Sequence, residues 1–277
     1  MTGYIPHHGS RATTPARLPG GAPSAVPAPP GRVRRDWAAL AAPTVSPARF
    51  APHMTDGLPA PVTRWLAHAI APGAPLLETV ELVTHGEIRM GTWRRFRARQ
   101  ILAPPRGLVW AARSHLAGLP VSGYDRYSGG TGEMRWRLLR AVPVMSGSGP
   151  DVTRSAAGRV ACEFPLVPAT ARGTAVRWEP ADDDRQAVAH VRVGREEFAV
   201  TVRVSPSGHL ESASLLRWGD PDGRGYGKHP FGAVFEGEAR FGDFTLPRTV
   251  RAGWWFGGDR WPEGEFIRFT VDEAAYR

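Results

Sequence analysis

Between Trp93 and Trp136 apolar and polar residues alternate in steps of two, and nothing else in the chain limits its fold so tightly. In W-R-R-F-R-A-R-Q-I-L-A, Phe96, Ala98, Gln100 and Leu102 fall on one side of an extended backbone and Arg95, Arg97 and Arg99 on the other. Successive side chains of a strand point to opposite faces, so this is the pattern of a half-buried strand. Pro104, Pro105 and Gly107 predict a turn. The next segment sets Leu108, Trp110 and Ala112 against Val109, Ala111 and Arg113, so few polar groups that both its faces are expected to be covered. Tyr124 to Trp136 predicts a hairpin turning at S-G-G-T-G, in which Met134, Trp136 and Leu138 alternate with Glu133, Arg135 and Arg137. Together the segments predict a β-meander with an aromatic face and a solvated arginine face.

The same rhythm extends in both directions. L-L-E-T-V-E-L-V-T-H-G-E-I-R-M precedes the meander as a strand interrupted at Gly86, and from Ala175 to the end strands alternate with short turns. Short connections force antiparallel neighbours, and no strand-helix-strand rhythm supports a Rossmann fold or a barrel ringed by helices. Two helices interrupt the pattern. One, at 60–71, carries Val62, Trp65, Leu66, Ala69 and Ile70 on one stripe and ends at Pro72; the other, at 151–163, starts with Asp151 as its cap and carries Arg159 and Glu163 one turn apart. The expected fold is mainly β (α+β): a curved antiparallel meander sheet or open half-barrel covered by two helices, forming one domain over residues 57–277. Residues 1–56, rich in Pro, Ala, Gly and Arg, are expected to be a disordered tail unable to bury enough apolar surface to offset the entropy of ordering.

The net charge of +9 invites a nucleic-acid reading, but of 35 lysines and arginines only Lys228 is a lysine, and the arginines are spread along the chain rather than gathered in a stripe. GC-rich coding raises Arg, Ala, Gly and Pro together, so nucleic acid is not an expected partner. Cys162 is the single cysteine, which excludes an internal disulfide, and no apolar run approaches the ~20 residues of a spanning helix. Prolines and glycines interrupt the N-terminus, so a secretory signal is not expected and a cytoplasmic location is. The chain carries no signature of an oligomeric state.

Motifs that would name a reaction fail on spacing. S-G-G-T-G-E lacks the third glycine of a dinucleotide fingerprint, G-Y-G-K-H has His229 where a phosphate loop needs Ser or Thr, and G-S-G is not a nucleophile elbow. Asp220 and Asp222 open no complete calcium loop. The nine histidines include no H-x-H or H-x-x-x-H pair, so neither a metal nor a cofactor is expected, and His68 reads as a boundary residue beside an apolar stripe. Cys162 reads as a buried, inert thiol. The polar groups set into or after the aromatic strands remain: Gln100, Asp125, Tyr127, Arg159 and Glu163. A buried Asp125 requires a partner, which Arg159 can supply, so a network tying the second helix to the sheet is expected ahead of a catalytic acid and base.

W-R-R-F-R-A-R-Q, L-V-W-A-A-R, Y-D-R-Y-S-G-G-T-G-E-M, S-A-A-G-R-V-A-C-E-F-P and A-V-R-W occur in that order, and the chain from about Leu58 onward resembles an uncharacterised bacterial family of unknown function with the pattern W-x-x-F-x-A-x-Q, D-x-Y-x-G-x-G-x-M and R-x-x-x-E. The resemblance points to Trp93, Phe96, Ala98, Gln100, Trp110, Asp125, Tyr127, Gly130, Gly132, Met134, Arg159, Glu163 and Trp178. Phe164 stands where that family carries Trp and brings no polar group to the position. The rhythm around F-G-D-F-T-L-P-R-T-V is also similar to that of lipoprotein-carrier-like proteins, whose half-barrel sheet wraps helices and holds acyl chains. The expected function is binding of a hydrophobic small molecule or acyl chain in a half-barrel cavity, at Trp93, Phe96, Gln100, Trp110, Asp125, Tyr127, Met134, Arg159, Glu163 and Trp178. An enzyme using Asp125, Glu163 and Arg159 at the cavity mouth, or a structural module that binds a partner, are the alternatives.

Overall fold

The computed structural model describes residues 27–277. After two helices, α1 (Arg34–Leu40) and α2 (Ala60–Ala69), come β1 (Val80–Met90), β2 (Thr92–Ala103), β3 (Gly107–Leu116), β4 (Leu119–Ser128), β5 (Thr131–Leu138) and β6 (Val142–Ser148). Helix α3 (Pro150–Glu163) then leads through two short 3₁₀ turns into β7 (Val176–Pro180), β8 (Gln186–Val193), β9 (Glu196–Val204), β10 (Leu210–Gly219), β11 (Gly227–Phe241), β12 (Phe244–Trp254) and β13 (Glu265–Tyr276).

All thirteen strands form one antiparallel sheet, in the order β6-β5-β4-β3-β2-β1-β13-β12-β11-β10-β9-β8-β7, curled into a half-barrel. The first and last strands pair at its centre, where Leu82 opposes Ala274, and the two meanders grow outward from that seam. The edges are β6 and β7, and α3 joins them. One connection therefore carries the chain across the concave face, which fixes α3 over the inner side chains of both meanders.

Helix α3 begins one residue earlier than its expected cap. Gly149 (φ 100°) precedes Pro150, whose missing N–H costs nothing in a first helical turn, and Asp151 instead accepts a hydrogen bond from Trp218 Nε1 at 2.9 Å. The helix lies so close to β5 that a Cβ on Gly132 would stand 2.7 Å from Thr153 Cα. Beyond its C-terminus Phe164 packs edge-on against Trp65 of α2 and tilted against Trp178, with ring centroids 6.3 and 5.9 Å apart. Each contact in this aromatic cluster is worth about 0.5–1.5 kcal/mol beyond its buried area.

Two expectations about the outer face are corrected. The segment up to residue 56 does bury apolar surface over its described part: Val33, Trp37 and Leu40 pack on Ile101, Ala103, Val109 and Tyr124, and Phe50 joins the main core. This contact is why β3 is covered on both faces. Residues 1–26 of the expected tail lie outside the described residues. The arginine face is also not simply solvated. Glu81, Glu133 and Glu265 are buried there among arginines: Glu81 with Arg99 and Arg277, Glu133 with Arg126, Arg135 and Arg32, and Glu265 with Arg251 and Arg268. Among the described residues no helix is long and apolar enough to cross a membrane.

Candidate functional site

The concave face encloses a cavity of about 670 Å³ between α3 and the sheet. Its walls come from both meanders: Trp110, Met134 and Trp136 from the first, and Phe231, Phe235, Val250, Trp254, Ile267 and Phe269 from the second. Val144 and Met145 of edge strand β6 are about half exposed and stand at its rim. A smaller cavity of about 140 Å³ near Pro104 and Val191 has Glu78 as its only ionisable group and assembles no chemistry.

The roof is polar. Ser155, Arg159, Cys162 and Glu163 line the cavity from α3, at the spacing of a single helical stripe. Arg159 donates from Nε to Glu163 Oε1 at 2.6 Å and from Nη1 to Asp125 Oδ2 at 3.1 Å, with its guanidinium 5.2 Å from the centre of the Trp110 ring. Trp136 Nε1 donates to Asp125 Oδ1 at 3.1 Å, and Gln100 Nε2 donates to Glu163 Oε2. Every oxygen of the two carboxylates therefore accepts a bond, as buried carboxylates require. Asp125 nevertheless has its pKa raised above the ordinary carboxylate range. Burial is the main cause, the neighbouring Glu163 adds to it, and Arg159 and the Trp136 bond offset only part. Burial acts against the charge of Arg159 too, but Glu163 and Asp125 outweigh it and hold the guanidinium above its usual range.

A second arginine completes the polar corner. Arg217 of β10 donates from Nε to the Ser155 carbonyl at 3.1 Å, and its guanidinium lies 4.5 and 5.2 Å from the ring centres of Phe231 and Trp254. Among the described residues no carboxylate lies within ion-pair distance of it. Burial and repulsion from Arg159 lower its pKa to about 10. Its stem passes beside α3 because position 158 is glycine: a Cβ there would lie 3.1 Å from Arg217 Cγ. Cys162 faces the same region, but burial pushes its thiol up to about 12, which keeps it protonated and unreactive.

Of the ten residues expected at the site, Gln100, Trp110, Asp125, Met134, Arg159 and Glu163 line the cavity. The other four do not. Phe96 is fully buried edge-on behind Trp110, with centroids 5.6 Å apart. Tyr127 is buried in the core with its hydroxyl against Gly194, and burial raises its pKa. Trp178 donates to the Ala171 carbonyl at 2.8 Å in the aromatic cluster. Trp93 lies between Arg89 and Arg268, since period two places it with Arg95 rather than with Phe96. The sequence reading missed Arg217, Phe231 and Trp254. Alternation from Ala213 and Leu215, both buried, was the available sign that Arg217 points inward.

Comparison with known proteins adds a family and some distantly similar solved structures. A model described as "Family of unknown function (DUF6544)" matches residues 48–266. No curated protein matches the chain. Among solved structures, a domain assigned to outer membrane lipoprotein sorting from Vibrio parahaemolyticus is similar at a TM-score of 0.40 and 7% identity, over 72% of this chain and 85% of that one. A LolA superfamily protein from Nitrosomonas europaea is similar at 0.40 and 10% identity, over 79% and 92%. A DUF1329 family protein from Desulfovibrio piger follows at 0.34 and 9%, over 72% and 86%.

Proposed function

We propose that this chain, which belongs to the DUF6544 family of unknown function, binds a hydrophobic small molecule or acyl chain in the concave cavity, with an acidic head group at the polar corner. The observation that carries the reading is the cavity itself: about 670 Å³, walled by aromatic and aliphatic side chains, with its polar groups gathered at one place. Ligand sites run from about 300 to 1,000 Å³ and combine apolar walls with a few orienting polar groups. Arg217 is the group suited to an anionic head, because Asp125 and Glu163 are already engaged by Arg159. A carboxylate reaching Arg217 would replace its missing counter-charge in a desolvated setting, where charge-assisted bonds are strong.

Native mass spectrometry of freshly purified protein should show a co-purifying hydrophobic molecule, and long-chain fatty acids should raise the melting temperature more than the matching alcohols. A protein that carries no ligand and is not shifted by any chain would sink the reading. Equal shifts from acids and alcohols would retain the cavity and remove Arg217 as the anchor.

One observation favours a second reading, as an enzyme. Asp125 is a carboxyl with a raised pKa facing a cavity, a combination typical of general acids. Its bonds to Arg159 and Trp136 rank this reading below binding, because both must loosen before a proton can be passed to a substrate. An activity abolished in Asp125→Asn while ligand binding is unchanged and the fold is no less stable than the parent's would reverse that order.

A further inference from the structure

We propose that His68, His209 and Glu238 form a binding site for a zinc-class divalent ion, separate from the apolar cavity. None of the three lines that cavity. They come from α2, from the turn before β10 and from β11, yet a ligating atom of each lies within 4.8 Å of the others. His68 Nε2 is 2.8 Å and His209 Nδ1 is 3.4 Å from the same oxygen, Oε2 of Glu238. Two imidazoles and a carboxylate are a donor set that zinc takes, at bond lengths of about 2.0–2.2 Å. Ligands held tetrahedrally at that length stand roughly 3.4 Å apart; the His209 separation of 3.4 Å already has that spacing, and the 2.8 Å hydrogen bond of His68 needs to open by only about 0.6 Å.

The backbone around the site holds the donors together. Gly208 has φ +93°, and a Cβ on it would come within 2.7 Å of both the Arg64 carbonyl oxygen and His68 Cβ. Only glycine lets this turn lie on α2, which sets the His209 ring against that of His68 with centroids 4.5 Å apart. The turn is fixed from within: Ser205 Oγ accepts from His209 N at 3.0 Å, and Ser205 N donates to the His209 carbonyl at 2.8 Å. As an ion pair alone the cluster is poorly used, since His209 stands beyond a good hydrogen bond from the oxygen that His68 engages. A cation among the three engages all of them, and the partial exposure of the side chains (28%, 48% and 18%) leaves a fourth position to water.

The test is calorimetric titration of untagged, chelator-treated full-length protein with zinc chloride. One equivalent should bind, and zinc but not magnesium should raise the melting temperature, since magnesium demands oxygen ligands. His209→Ala, on an exposed turn, should weaken zinc binding more than tenfold, beyond the roughly tenfold lower bound for loss of even an outer partner. The near-isosteric Glu238→Gln should do the same if the alanine variant folds poorly. His85→Ala, whose ring pairs with Asp272 elsewhere, should bind zinc as the parent does. Absence of stoichiometric binding to the parent protein, or parental affinity in both site variants, overturns the proposal.

Discussion

Helices α1 and α3 cover opposite faces of one sheet, and only one of them leaves space beneath it. Helix α1 lays Trp37 and Leu40, with Val33 before them, directly on Ile101, Ala103 and Val109. Large apolar groups meet small ones, and the contact closes. Helix α3 packs closely at Ala157, Val160 and Ala161, all buried, but presents Ser155, Arg159, Cys162 and Glu163 to an aromatic wall. Arg159 and Glu163 bond to each other, to Asp125 and to Gln100, so their side chains are held in the polar corner and do not fill the space beside Phe231 and Trp254. A cavity under a helix here follows from the polarity of one helical stripe, not from loose packing in general.

Breaking the closed contact should have the largest effect and should leave the cavity alone. Trp37→Ala removes a nearly buried indole from the outer face and should cost about 3–5 kcal/mol in denaturant unfolding, within the range for large aromatic deletions. The fatty-acid thermal shift should persist, measured relative to the variant's own melting point. Loss of the shift in a folded variant would mean that the two faces are coupled through β2 and β3.

A smaller effect separates the two faces electrostatically. Arg251 is the main cause holding Glu265 well below the usual carboxylate range, at about 2, with Arg268 adding to it against the cost of burial. A depressed folded-state pKa contributes stability that is present above the unfolded value of roughly 4.3 and lost as pH falls toward about 2. Glu265→Gln should cost about 3 kcal/mol at neutral pH by leaving Arg251 and Arg268 without their carboxylate. Acid titrations of parent and variant should converge in stability as pH approaches 2. A constant difference across that window would mean that the loss is packing, not charge.

Most strands were legible because alternation survives in them, and the hairpin turning at Gly129 and Gly130 falls where S-G-G-T-G puts it; β6 was not, because Pro143 and Gly147 interrupt V-P-V-M-S-G-S and nearly all of it is exposed. The link between Asp125, Arg159 and Glu163 was legible too, since a carboxylate on an inner strand face must find a cation. Helix α1 was not: its seven residues carry two apolar anchors inside a stretch whose composition otherwise argues against order. Arg217 was hidden for a different reason. An arginine in a strand reads as a solvent-facing residue until the tertiary fold turns its face toward a cavity. The His68, His209 and Glu238 cluster had no local signal at all, because 170 positions separate His68 from Glu238.

The smallest expected effect sharpens the contrast most, because its sign is opposite. Burial raises the pKa of Asp125, so the folded state favours its protonated form. A raised folded-state pKa contributes stability that is fully present below the unfolded value of about 3.9 and lost as pH rises through the folded value. The roof of the cavity should therefore weaken with rising pH, the direction in which the Glu265 cluster gains strength. Asp125→Asn keeps the side chain's size, can still accept from Trp136 or Arg159 through its carbonyl, and has no proton to lose. Its stability should lie within about 1 kcal/mol of the parent at pH 4, then gain on the parent as pH rises above 4. Urea unfolding of both proteins at several pH values between 4 and 8 would read the difference directly. A variant that instead loses ground with rising pH would show that the pairing of Asp125 with Arg159 outweighs the cost of burying its charge, and that the polar stripe of α3 is held to the sheet as firmly as α1 is.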